Sequence, residues 1–185
     1  MTTVFTIGHS RHPAERFVAL LKSHGVATLV DVRRRPGSRL NPQFNRDRLA
    51  ASLEAAGIDY VHLEDLGGLR EGDAAGETAD AGWRNPFLRS YAGYARTPAF
   101  GAALETLLGE AGRASSCIMC AEGDWRQCHR QIVTDYLLTR GVAVRHIMPD
   151  GAVEAGALTP FARPRDDGTV LYPKPEGRQL GLGLT

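Results

Sequence analysis

Three cysteines stand among 185 residues, too few and odd in number for a disulfide framework. That scarcity fits a reducing setting, and a cytoplasmic location is the expectation. No apolar run approaches the length of a membrane span, so no membrane partner is expected. Residues 1–20 lack the basic start and apolar stretch of a secretory leader. A formal net charge of +1 excludes any global pull toward nucleic acid or acidic membranes, leaving only a local basic patch for that purpose. There is no internal repeat and no low-complexity tract. What remains is ordinary for a globular protein: 43% hydrophobic and 23% charged residues, in a length that buries a real core as one domain.

Apolar runs and turn residues then alternate along the chain. Val4–Gly8, Val26–Val32, Ile58–Leu63, Ser116–Met119 and Val142–Ile147 read as five strands. Between them lie helical patterns. One carries Phe17, Val18, Leu20 and Leu21 and ends at Gly25; another runs from Arg46 to Ala56. One or two helices span 87–111, and a last one runs from Cys128 to Arg140. Strand–helix–strand order with short crossovers implies parallel pairing. The expected fold is α/β: a three-layer, mostly parallel open sheet of about five strands with helices on both faces. Residues 1–162 form the single domain, 69–86 a long surface loop, and 163–185 a tail that packs on the body or extends from it.

In such sheets the ligand crevice lies outside the carboxyl ends of the strands. That rule gathers distant residues. His9 and Ser10 follow strand one, and Asp31 and Arg33 end strand two. Glu64 and Asp65 follow strand three; Cys120 and Glu122 follow strand four. Polar groups at four successive strand ends serve no packing purpose.

The densest chemistry runs from Cys117 to Arg130, with thiol, carboxylate, imidazole and guanidinium groups in one turn. Cys120 and Arg126 have the spacing of a thiol-phosphate loop, in which loop N–H groups cradle an oxyanion and a helix start lowers the thiol pKa. Glu122, Asp124 and Trp125 inside that loop argue against it, because their charge and bulk oppose an anion. Cys120, Cys128 and His129 offer metal-binding or redox chemistry, with His9 or Glu122 as further ligands, although an eight-residue spacing is loose. Cys117 and Cys120 fall on opposite faces of a strand and cannot share a metal. Cys128-His129-Arg130 at a helix start favours an anion; equally, Cys128 is a small buried hydrophobe.

Arg33, Arg34, Arg35 and Arg39 form a basic cluster, with Asn41 and Phe44 just beyond it; the set suits phosphate contact and base stacking, or equally a solvated loop with one structural ion pair. Asp31 either takes part in chemistry or simply fixes Arg33. Leu66-Gly67-Gly68 permits close backbone approach to a ligand, or merely makes a turn. Trp83 and Tyr91 either close over a ligand or belong to the core. His12, His24, His62 and His146 have no visible partner and read as structural or exposed.

Taken in order, Thr6-Ile7-Gly8-His9-Ser10, Asp31-Val32-Arg33 with Pro36 and Ser38, Leu66-Gly67-Gly68, Cys120-Ala121-Glu122 and Cys128-His129-Arg130 form a recognisable series. It resembles the bacterial and archaeal family called domain of unknown function 488 over about residues 4–148. The resemblance implies a compact α/β protein with these motifs at one end of the sheet, and carries over no settled reaction. Mapped here, it implicates His9, Ser10, Asp31, Arg33, Ser38, Cys120, Glu122, Cys128, His129 and Arg130.

The leading expectation is an enzyme acting on a phosphate-bearing or other anionic substrate, a nucleotide or nucleic acid among them. His9, Asp31, Cys120 and Glu122 are its catalytic candidates. Ser10, Arg33, Ser38, Cys128, His129 and Arg130 are its substrate-binding candidates. A nucleic-acid-binding module without catalysis and a metal- or redox-responsive Cys/His protein are the alternatives. No metal ligand is assigned, and neither a cofactor nor an oligomeric state can be named from the residues.

Overall fold

Continuous apolar runs bury on both faces, and that is how a parallel strand reads. The computed structural model describes residues 2–70 and 79–175. Strands β1 (Thr3–Gly8), β2 (Thr28–Asp31), β3 (Asp59–His62), β4 (Ser116–Cys120) and β5 (Ala143–Ile147) all pair in parallel. A sixth strand, β6 (Val153–Ala155), adds antiparallel to β5 at one edge. The order is β3-β2-β4-β1-β5-β6.

The helices are α1 (Ala14–Ser23), α2 (Arg46–Glu54), α3 (Pro86–Tyr94), α4 (Pro98–Arg113) and α5 (Arg130–Leu138). In α1, Phe17, Leu20 and Leu21 fall three and four apart and make one buried stripe. The Asn85 and Thr97 side chains accept N–H groups in the first turns of α3 and α4, and a proline opens each helix.

Strand alternation splits the core into two layers. Ile7, Leu29, Cys117 and Met119 face α1 and α2. Val4, Val30, Ile118 and Cys120 face α3, α4 and α5. The expected three-layer α/β fold is therefore present, extended by the antiparallel edge strand.

Connections from the two central strands diverge. β1 feeds α1 on one face and leads to β2; its neighbour β4 feeds α5 on the other face and leads to β5. Divergence at adjacent strands opens a crevice at their carboxyl ends.

Beyond β6 the chain folds back onto the α3–α5 face. Arg163–Pro164 (β7) and Val170–Leu171 (β8) form a small antiparallel ribbon. Val170 and Tyr172 are fully buried in the same core as α5. This arm covers the described part of the expected tail; 71–78 of the expected loop and 176–185 of the tail lie outside the described residues. No described helix is long and apolar enough to cross a membrane.

Candidate functional site

A cavity of about 690 Å³ opens at the crevice. Its walls come from the turn after β1, the loop after β2, the segment after β3 and the loop after β4. It includes all the family-implicated residues except Asp31 and Arg130, which lie behind its wall.

Asp31 is fully buried and spends itself on Arg33. Its Oδ1 accepts from the Arg33 backbone N–H at 3.0 Å and from Nε at 2.9 Å. Its Oδ2 accepts from Arg33 Nη2 at 2.6 Å and from the Tyr60 hydroxyl at 2.8 Å. Arg33 Nη2 also donates to the Phe44 carbonyl at 2.8 Å. His62 Nε2 donates to the Arg33 carbonyl at 2.8 Å. The guanidinium is thus fixed on every side but one. That side, Nη1, meets only His9 Nε2, at 3.4 Å.

His9 stacks on Phe44 with ring centroids 4.2 Å apart and gives its Nδ1 proton to the Ser10 carbonyl at 3.0 Å. Burial, reinforced by the Arg33 charge, lowers its pKa to about 4. At neutral pH the ring is therefore uncharged, and Nε2 presents a lone pair to Arg33. Phe44, read from sequence as a base-stacking partner, is fully buried beneath His9 and unavailable to a ligand.

Arg130 is also fully buried. It donates to Thr6 Oγ1 at 3.2 Å and to the carbonyls of Glu122 and Gly123. It pins the loop after β4 from below. Glycine at position 8 makes that close packing feasible, since a Cβ there would meet the Glu122 carbonyl oxygen at 1.8 Å. The Glu122 side chain itself is exposed at the cavity mouth.

The floor holds two thiols. Cys120 Sγ and Cys128 Sγ lie 2.8 Å apart, and Cys128 Sγ lies 3.5 Å from His129 Nδ1. Burial opposes ionisation of both. At Cys128, the hydrogen bond from Cys120 and the neighbouring His129 and Arg130 outweigh it and hold the pKa well below the usual thiol range. Burial and the shared proton push Cys120 well up. The proton the two sulfurs share is therefore held by Cys120 in preference to Cys128.

Several readings left open by the residues are decided here, and the placing of Glu64 and Asp65 in the crevice is corrected. Arg126 does not close a thiol-phosphate loop. It turns outward over Trp125 and pairs with Glu154 at 2.5 Å, 28 residues ahead. Glu64 and Asp65 are exposed and off the cavity; Asp65 instead accepts from Tyr94 and pairs with Arg70. Trp83 and Tyr91 are core residues, and the Tyr91 hydroxyl donates to the Leu66 carbonyl at 2.6 Å. His146 is buried, bonded to Thr6 Oγ1 at 2.8 Å and stacked on Trp125. Two thiolates on one tetrahedral zinc sit roughly 3.8 Å apart, so the 2.8 Å thiol pair is too close to share one. Among the described residues no group of three or more His, Cys, Asp or Glu is placed to hold a metal.

Other contributors were missed from sequence. Tyr60 and His62 stand two apart on β3 beside β2, on one face, and that polar alternation was the available signal. Arg11 lines the cavity from the turn after β1 and carried no signal. Ser10 and Leu69, the two described non-glycine residues with left-handed backbone (φ 46° and 57°), both line the cavity. Backbone held in that region concentrates at functional sites.

A family model described as "Domain of unknown function DUF488" matches residues 13–137. No curated protein and no solved structure matches.

Proposed function

This chain belongs to the DUF488 family, and from its arginine-lined crevice we propose an enzyme acting on a substrate that bears phosphate or another anionic group. One observation carries the reading. Arg33 is only 8% exposed, its Asp31 counter-charge is hidden on the far side, and its one free nitrogen lies beside a neutral imidazole at the cavity wall. A cation so preorganised gains most from an anion arriving on the open side.

Arg11, Arg34 and Arg35 surround the same volume and add long-range attraction. The Ser10 and Ser38 hydroxyls supply hydrogen bonds of lower charge. Glu122 at the mouth is the general base or acid. His9, neutral and fixed in one tautomer, accepts a proton or a hydrogen bond at Nε2. Asp31 and Arg130 act through others: one aims Arg33, the other holds the Glu122 loop. They are positioning residues.

The test is an anion screen by thermal denaturation with pyrophosphate, mononucleotides and sugar phosphates, followed by turnover assays on binders. At least one class raises the midpoint by several degrees, and Arg33→Gln removes the rise. Glu122→Gln then lowers turnover by about 10²–10⁴-fold while binding persists. A midpoint that no anion moves overturns the reading. Tight binding of single-stranded oligonucleotides with a steep salt dependence and no turnover replaces it with a binding module.

A further inference from the structure

We infer that Cys120 and Cys128 form a dithiol–disulfide couple that exchanges with a small anionic disulfide entering the same cavity. The inference shares the arginines of the preceding reading and uses none of its acid–base chemistry.

Geometry carries it. The two sulfurs are within hydrogen-bond distance although eight residues separate them, and both line the cavity. Cys128 stands just before α5, at the positive end of the helix dipole, with Arg130 and His129 next to it. Cys117 provides an internal contrast. It faces the opposite core layer, has no thiol partner and lines no part of the cavity. Arg11, Arg33, Arg34 and Arg35 about the entrance select for carboxylates or other anionic groups on the incoming disulfide.

The reaction balances without other reagents. The Cys128 thiolate attacks one sulfur of RS–SR, forming a mixed disulfide and releasing RS⁻, which takes a proton from solvent. The Cys120 thiol loses its proton to solvent and attacks the Cys128 sulfur. A Cys120–Cys128 bond forms and the second RS⁻ leaves. Two protein thiols are oxidised and one disulfide is reduced to two thiols.

The experiment uses the full, reduced chain with oxidised glutathione, and with cationic cystamine as the opposing arm. Reaction is stopped by alkylation and read by mass spectrometry. Trypsin cuts at Arg113, Arg126 and Arg130, so the expected product joins fragment 114–126 to fragment 127–130. Because Cys117 shares the first fragment, a Cys117→Ala chain gives the same link. In Cys120→Ser the reaction stops at a glutathione adduct on Cys128. Oxidised glutathione reacts about tenfold faster than cystamine at low salt, and the ratio falls toward one as salt screens the arginines. Three results overturn the couple: no linked fragments, no adduct in Cys120→Ser, or first capture at Cys120. Equal rates for the two disulfides overturn the anionic partner. Neither failure touches the thermal response to phosphate anions, so each reading falls separately.

Discussion

Two buried Asp–Arg pairs hold this molecule together at different places, and they differ in what the arginine has left to give. At the crevice, Asp31 and Arg33 lie 2.6 Å apart, 0% and 8% exposed. Under the C-terminal arm, Asp80 and Arg96 lie 2.7 Å apart, 0% and 20% exposed. Arg96 turns one nitrogen to both Asp80 oxygens and to the Ala92 carbonyl, while Asp80 also accepts the Tyr172 N–H at 3.3 Å. That pair closes the arm onto α3. Arg33 by contrast keeps Nη1 at the cavity wall, aimed by its partner rather than consumed by it. A buried ion pair alone is thus no mark of a site; a buried cation with one side facing a void is.

The sharpest way to break that contrast is to remove each aspartate. Asp31→Ala leaves Arg33 buried without its counter-charge and costs about 3–5 kcal/mol of stability. It also unaims the guanidinium, so anion affinity falls by more than about tenfold. Asp80→Ala costs less, about 2–3 kcal/mol, because water reaches Arg96, and anion affinity stays unchanged. Urea denaturation and anion titration on both variants read the two effects. If Asp80→Ala weakens anion binding as much as Asp31→Ala, the regions are not distinct in the sense argued.

The two regions also respond to acid with opposite sign. Near the arm, burial raises the Asp135 carboxyl to about 6, although the Thr159 N–H donates to it at 2.8 Å. Its folded pKa exceeds its unfolded value, so its contribution is fullest below about pH 4 and is lost as pH rises through 6. His9 is the reverse: depressed to about 4, it stabilises above its unfolded value of 6.5 and loses that contribution as pH falls through 4. Each effect is at most about 3 kcal/mol. Amide exchange between pH 7 and 4 should therefore show the turn at His9 and Ser10 opening more readily in acid, and the Thr159 segment less so. His9→Gln abolishes the first trend, and Asp135→Asn the second. Both segments weakening together in acid, unchanged in the variants, contradicts the assignment.

The sequence made the crevice legible and the roles around it less so. Strands of continuous apolar residues, such as Leu29-Val30 and Ile118-Met119, need no tertiary context to be read. Period-two alternation placed Cys117 and Cys120 on opposite faces, where they lie. Of positions 9, 31, 64 and 122, which the crevice rule sends to one hollow, His9 and Glu122 line it, Asp31 reaches it only through Arg33, and Glu64 lies off it. The direction a side chain takes from a strand end is set by partners remote in sequence. Arg126 follows Glu154, Arg130 follows the loop carbonyls, and Asp31 turns to Tyr60 and Arg33 rather than to the void. β6 has three half-exposed or exposed residues and no apolar run to announce it. The burial of Val170 and Tyr172 depends on a surface that α3 to α5 create only once folded.

The last contrast is between two glycines, and the smallest expected effect falls at Gly101. A methyl on Gly8 collides with the Glu122 backbone, which Arg130 already holds from the other side. Neither chain segment can yield without disturbing the cavity. Gly8→Ala should cost about 1–3 kcal/mol and displace the loop that carries Glu122 and follows Cys120, weakening anion binding as well. Gly101, inside α4 and remote from the cavity, has nothing within 4 Å of the added methyl. There the substitution only relieves the entropic cost of glycine in a helix, so Gly101→Ala should gain about 0.5–1 kcal/mol and leave anion affinity unchanged. Chemical denaturation of both variants beside an anion titration makes the comparison. A Gly8→Ala chain that binds anions as the parent does shows that the tight packing of β1 against the Glu122 loop is incidental to the site.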